Sequence, residues 1–441
     1  MNREYSVELE KMNAKSQRST KLMTLIFLWG AMLFAHSIRF AFGVAAPTLM
    51  TLYHLSPKTM GYVLSGWNWS YTGTLFLIGL IVDRFGPWIV MGIGSVIWGL
   101  STLALPLASA AVSLFLMRML FGFGHSMLFP SVAASVSREF SFKERTRAIA
   151  VVHSGNPVGL AMGAVIAAFI LAHLGWKAVF YCLGAGSLLW TLAWFYLYPD
   201  RHIGRRRSGE GGGANINEHR RVPWISLFLH RSTWGIALGQ MGYLYAYFFF
   251  ITWLPAYLVL DRKMTLLKSG VIAALPFWVG VFCTLGGGWL GDYLIERGVS
   301  LTVSRKSIIG IGLSASTATV IAAVFVQQAW LAVTLLTLCV AFLRTTTGSV
   351  NSLPIDLAPP AAVASLTAIQ NLFGNLAGML APIVTGYLVD STGSFVASFI
   401  VAGAMALFGA LSFVFIVGNV ERQRIEPKAP LKVSVLPSRA V

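Results

Sequence analysis

Gly79-Leu80-Ile81-Val82-Asp83-Arg84-Phe85-Gly86 closes the second apolar run of the chain, and Gly288-Trp289-Leu290-Gly291-Asp292 closes the eighth, followed by Arg297-Gly298 and Arg305-Lys306. In both copies an aspartate stands four residues after a glycine. A glycine lets two helices approach closely at a membrane edge, and the aspartate can bond a neighbouring helix N-terminus or pair with an arginine. Either short loop alone is common. Their recurrence at matching places reads as a latch between moving halves, built from Gly79, Asp83 and Arg84 in the first and from Gly288 and Asp292 in the second.

Apolar segments fall near 22–50, 59–82, 88–110, 112–137, 147–173 and 176–198, then near 232–259, 269–291, 306–327, 330–353, 362–388 and 394–418. A membrane span needs about 20 apolar residues. Six runs, a hydrophilic break and six more predict an all-α membrane protein with twelve transmembrane helices in two six-helix bundles. The expected organisation is a tail at 1–21, a bundle at 22–198, a linker at 199–231, a second bundle at 232–418 and a basic tail at 419–441. The linker carries Arg205-Arg206-Arg207 and Gly211-Gly212-Gly213 and reads as a flexible connector. The first 21 residues are polar and mixed in charge, and the apolar run after Lys21 is too long for a signal h-region, so it reads as the first span rather than a cleaved signal.

Composition agrees. Of 441 residues, 56% are hydrophobic and 11% charged, against about 25% charged in soluble domains. The net charge of +17 has no stripe of basic residues interleaved with aromatics, which excludes nucleic acid as the expected partner. Its distribution is topological instead. With the N-terminus inside, 25 of the 33 basic residues fall on that side, 5 on the other and 3 within spans. Both termini are therefore expected in the cytoplasm. Cys182, Cys283 and Cys339 lie in apolar segments and read as small hydrophobes. No Walker-type loop, metal-ligand cluster or nucleophile–base pair occurs, so neither an enzyme nor a bound metal or cofactor is expected. The chain is expected to act as a monomer.

The repeated loops resemble the signature loop of the major facilitator superfamily, although Pro87 and Trp88 stand where its usual basic pair would follow Gly86. A closer resemblance is to the anion:cation symporter family, which includes bacterial sugar-acid transporters and vesicular glutamate transporters. It rests on Ala45-Ala46-Pro47-Thr48-Leu49, the Arg118–Pro130 segment, Phe249-Phe250-Ile251-Thr252-Trp253-Leu254-Pro255, Pro354-Ile355-Asp356-Leu357-Ala358-Pro359 and Asn371-Leu372-Phe373-Gly374-Asn375. The resemblance implies that Arg39 binds a substrate carboxylate, that Tyr71 contacts substrate and that Arg118 organises the fourth span and the coupling network. It also exposes a departure. Proton-coupled members typically carry an aspartate just before the first-span arginine and a glutamate in the fourth span, where this chain has Ile38 and His125.

The residues themselves point to an anion. Arg39, Arg118 and Arg344 lie within spans, with no Asp or Glu at comparable depth, and each costs roughly 2.5–3.5 kcal/mol to insert at a helix centre. Buried cations without carboxylates suggest that the anion arrives from outside, and the planar guanidinium suits a carboxylate. Arg39 is the first candidate, with His36 one turn earlier on the same face. A structural arginine bonded to helix carbonyls is the alternative for Arg39, and equally so for Arg118. Arg344 reads either as part of the site or as lining an exit. His125 is the candidate proton carrier, since histidine titrates near neutral pH, against an ordinary packing histidine.

Gln240, Tyr243 and Tyr247 share one helical face. Asn371 and Asn375, with Asn351 and Asn156, can donate and accept hydrogen bonds to hydroxyls. Gly155, Gly159 and Gly163 form a small-residue ridge, and Pro157 and Pro382 are bend points. The expected function is secondary transport of a small organic anion by alternating access with a proton as coupling ion, and the resemblance implies a sugar acid such as a hexonate or hexuronate. The alternatives are aromatic or other monocarboxylates, uniport or exchange, and a non-transporting membrane sensor.

Overall fold

Serine caps and proline starts set the helix boundaries. Ser56 accepts a hydrogen bond from Thr59 N ahead of Pro57, and Ser141 with Glu144 forms a capping box. Gly86, at φ 83°, adopts a backbone that other residues disfavour and turns the chain between two helices. The computed structural model describes residues 2–198, 227–359 and 362–421. Most of the linker expected at 199–231 and nearly all of the tail expected at 419–441 lie outside them.

The first half comprises α1 (Asn2–Leu52), α2 (Pro57–Phe85), α3 (Pro87–Ala104), α4 (Ala111–Ser126), α5 (Leu128–Glu139), α6 (Phe142–Leu174) and α7 (Trp176–Leu197). The second comprises α8 (Arg231–Leu260), α9 (Leu266–Glu296), α10 (Leu301–Phe325), α11 (Ala329–Thr345), α12 (Thr347–Leu357), α13 (Val363–Thr392) and α14 (Val396–Leu411). Residues 2–21, expected as a tail, continue α1 as helix.

Among the described residues, eleven helical stretches are long and apolar enough to cross a membrane. The 29-residue α2 is not among them, because Ser65, Asn68, Ser70, Thr72 and Thr74 dilute its middle. Two expected spans are broken near their centres. The segment expected at 112–137 is α4 and α5 meeting at Met127, and that expected at 330–353 is α11 and α12 meeting at Thr346. Irregular backbone at membrane depth is tolerated where it is buried in protein or faces a cavity.

The halves repeat one packing plan. In the first, α1 packs on α6 and α2 on α4; in the second, α8 packs on α13 and α9 on α11. The ridge of Gly155, Gly159 and Gly163 lies directly on α1: a side chain there would run into Trp29, Leu33 and Ser37. Ser37 Oγ donates to the Gly159 carbonyl at 2.9 Å. This contact sets the height and rotation of α1, and with them His36 and Arg39.

The two halves meet through α1–α8, α2–α13 and α6–α9. The closest approaches gather at one end. A Cβ on Gly61 would stand 3.2 Å from Ile383 Cα and against the Pro382 carbonyl, and one on Gly386 would meet the Pro57 carbonyl. At the other end, a Cβ on Gly73 or Gly79 of α2, or on Gly286 or Gly288 of α9, would meet nothing within 4 Å. The molecule is closed at the end of the 52–57 turn and open at the end of the 85–87 turn.

Candidate functional site

Between the halves lies a cavity of about 480 Å³. All ten residues expected to bind substrate line it: Arg39, His36, Tyr71 and Asn156 from the first half, and Gln240, Tyr243, Tyr247, Asn351, Asn371 and Asn375 from the second. His125 and Arg344 line it as well, whereas Arg118 does not. No Asp or Glu is among the lining residues.

Arg39 is 92% buried by its 8% exposure, and its Nε and Nη2 have no hydrogen-bond partner. Its guanidinium lies 4.0 Å from the Trp67 ring centroid and 4.8 Å from that of Phe248, one ring from each half. Aromatic faces soften the cost of burying a cation, but they leave the N–H groups along the guanidinium edge unpaired. A buried donor without an acceptor is costly, so this edge wants an acceptor that no described residue supplies. Arg118 differs. It is 2% exposed, sits 4.5 Å over the Phe42 ring, and donates through Nη2 to the Leu64 carbonyl at 3.4 Å. Its place is behind the cavity wall, tying α4 to α2.

His125 sits in an aromatic cage. Its ring lies 5.2 Å from His36, 5.5 Å from Phe121, 5.6 Å from Tyr71 and 5.8 Å from Trp67. Neither of its ring nitrogens has a hydrogen-bond partner. His36 Nδ1 lies 2.8 Å from the Met32 carbonyl; a carbonyl only accepts, so Nδ1 donates and Nε2 is left with a free lone pair. Buried polar side chains normally have at least one hydrogen-bond partner, a norm that His36 meets through Met32 and that His125 does not meet among the described residues.

The sequence profile of the Major Facilitator Superfamily matches residues 28–304 and 298–440. The chain belongs to that superfamily. This transporter is 30% identical to a D-galactonate transporter of Escherichia coli O6:H1 (strain CFT073), over 93% of this chain and 98% of that one. It is 29% identical to a hexuronate transporter of Bacillus subtilis (strain 168), over 89% and 94%. It is 30% identical to a probable galactarate/D-glucarate transporter of Escherichia coli (strain K12), over 92% and 96%. Its fold is similar to that of a bacterial homolog to the human lysosomal transporter Spinster in an inward-facing and occupied conformation, with a TM-score of 0.73 and 15% identity over 90% and 95% of the two chains.

Several lining residues of the transporter escape a sequence reading. Trp67 and Phe248, which hold Arg39, look like ordinary apolar core. His153, 5.5 Å from Phe129, and Gln370, which donates to the Val350 carbonyl at 3.0 Å, lie in runs without a distinctive pattern.

The latch residues stand apart in this conformation. Asp83, Arg84 and Asp292 are exposed, and neither aspartate has an ion pair or hydrogen bond among the described residues. Arg84 lies over the Phe85 ring. A Cβ on Gly79 or on Gly288 would meet nothing within 4 Å, although one on Gly348 would stand 3.3 Å from Gly288 Cα. The ion pairs at the open end are others. Lys21 Nζ donates to Glu144 at 2.7 Å, joining α1 to α6, and Arg305 Nε donates to Asp356 at 3.1 Å, joining α10 to α12. Each holds one half together rather than bridging the two. The Lys21 and Ser141 hydrogen bonds hold the Glu144 carboxyl down to about 2.

Proposed function

We propose that the protein is a secondary transporter of a hydroxylated organic acid, a hexonate or hexuronate, working by alternating access across a bacterial inner membrane. The observation that carries this is Arg39: a buried guanidinium with unpartnered nitrogens in a cavity lined by no carboxylate. The sugar-acid transport named for relatives at about 30% identity supports the same substrate class. Arg39 clamps the carboxylate while Tyr71, Gln240, Tyr243, Asn371 and Asn375 read the hydroxyls. Gln240 Oε1, buried and without a partner, is an acceptor for one of them.

In this reading α2 is the twelfth span, its polar residues turned to neighbours rather than lipid. Asn68, for one, is fully buried and donates to the Asn375 carbonyl. The excess of basic residues on the N-terminal side supports a cytoplasmic location for both termini. The open end then faces the cytoplasm, and the conformation is inward-facing. His125, with His36 beside it, carries the coupling proton in place of the missing carboxylates, and the exposed Asp83 and Asp292 close the cytoplasmic latch in the outward-facing state. Substrate shifts the balance of the two states by binding one better than the other. An aromatic acid fits less well, because the Trp67 and Phe248 rings already hold Arg39.

Uptake of labelled D-galactonate, D-glucuronate and phthalate into proteoliposomes, with and without an inward proton gradient, tests the reading. Saturable, gradient-driven accumulation of a sugar acid is expected. Phthalate uptake with no sugar-acid uptake would overturn the substrate class, and equilibration indifferent to the gradient would overturn the proton coupling.

A further inference from the structure

Arg344 is the second cation of the cavity, and it comes from the other half of the molecule. It stands on α11, its guanidinium 5.1 Å from the Tyr247 ring centroid, with Nε donating to Thr284 Oγ1 at 3.1 Å. Arg39 stands on α1 and lies over Phe248, the next residue along α8. Two consecutive rings of one helix therefore present one arginine each to the same space. Neither arginine has a carboxylate partner among the described residues, and no lining residue could supply one. Hydroxyl-reading side chains, Gln240, Asn371 and Asn375, belong to the same wall.

A monoanion neutralises one of these two cations and leaves the other uncompensated within the protein, where an unpaired charge is costly. A chain with an acid group at each end satisfies both. We propose that Arg344 is a second acid-binding residue, so that the preferred substrate is a short polyhydroxylated dianion, with one acid on Arg39 and the other on Arg344. The proposal rests on the sugar-acid reading above and deepens it. Because the two arginines belong to different halves, such a ligand bridges them, whereas a monoanion is clamped from one side only.

Equilibrium binding of D-glucarate and D-gluconate to the purified transporter near neutral pH tests this, since the two share a six-carbon hydroxylated chain and differ by one carboxylate. The wild type is expected to bind glucarate about tenfold or more tightly than gluconate, the scale of one added charge-assisted contact. Arg344→Gln is expected to erase that ratio, Arg344→Lys to keep part of it, and Arg39→Ala to weaken both ligands. Thermal unfolding of each variant checks that it is folded, and the lysine variant carries the test if the glutamine one is not. Equal affinity for both acids in the wild type, or a ratio unchanged in Arg344→Gln and Arg344→Lys, would overturn the dianion proposal and leave the sugar-acid reading standing. Failure of both acids to bind the wild type would overturn the two together.

Discussion

His125 and Arg344 occupy the same place in the two halves: each lies two residues before the break in its span, His125 before Met127 and Arg344 before Thr346. Both line the cavity. The first half thus puts a titratable imidazole where the second puts a permanent cation, because guanidinium does not lose its proton in proteins. Under the proposed mechanism His125 carries the movable charge. Replacing His125→Gln is expected to abolish accumulation driven by a proton gradient while exchange of labelled for unlabelled substrate continues. Measuring both fluxes in the same proteoliposomes checks this, and gradient-driven accumulation at the wild-type level would remove His125 from the coupling path.

The crossing of Gly61 with Pro382 and Ile383 closes one end of the molecule. Gly61→Val overpacks that contact, at a cost of about 1–3 kcal/mol, and only in the conformation in which that end is shut. The equilibrium should therefore move toward the opposite state by about 5–150-fold. Labelling of Gly79→Cys or Gly288→Cys, in a background with the three native cysteines replaced, reports it. Both sites face open space here and should become less reactive when Gly61→Val is added.

The Lys21–Glu144 pair fixes the start of α6 on α1. With the Glu144 carboxyl lowered from 4.5 to about 2, its contribution to stability is complete above pH 4.5 and is lost as the pH falls toward 2. The difference in thermal midpoint between wild type and Glu144→Gln should stay constant from pH 8 to about 5 and shrink only below about 4.5. A difference that changes between pH 8 and 6 would contradict the assignment.

Much of this architecture is legible in the chain, for a physical reason: a span must be apolar for its whole length, so its position survives in one dimension. The segments at 22–50 and 232–259, for example, fall inside α1 and α8. The polar cavity residues are legible by the same rule, since Arg39 or Asn371 would be costly against lipid. The breaks at Met127 and Thr346 are not, because neither break residue is itself a proline or glycine, and Pro130 and Gly348 stand three and two residues beyond them, off the break positions. The α2 helix falls short of a clear span because Asn68 and its polar neighbours lie in its middle. Pairs such as Lys21–Glu144 and Arg305–Asp356 join residues 123 and 51 positions apart, and no local pattern announces them. The recurring loops at 79–86 and 288–292 suggest related halves, but the partners expected for Asp83 and Asp292 are not met among the described residues.

The central claim is that Arg39 is held ready for a carboxylate. Its charge-assisted contacts are worth about 1.5–3 kcal/mol, so Arg39→Ala should weaken sugar-acid binding by about 10–150-fold. Because its Nε and Nη2 have no partner among the described residues, removing the charge should leave the ligand-free thermal midpoint no lower than that of an Arg39→Lys variant. The most direct measurement is therefore calorimetric binding of D-galactonate to the wild type and Arg39→Ala, beside their ligand-free melting curves. The account predicts binding weakened on that scale with the fold intact. Wild-type affinity in Arg39→Ala would contradict it.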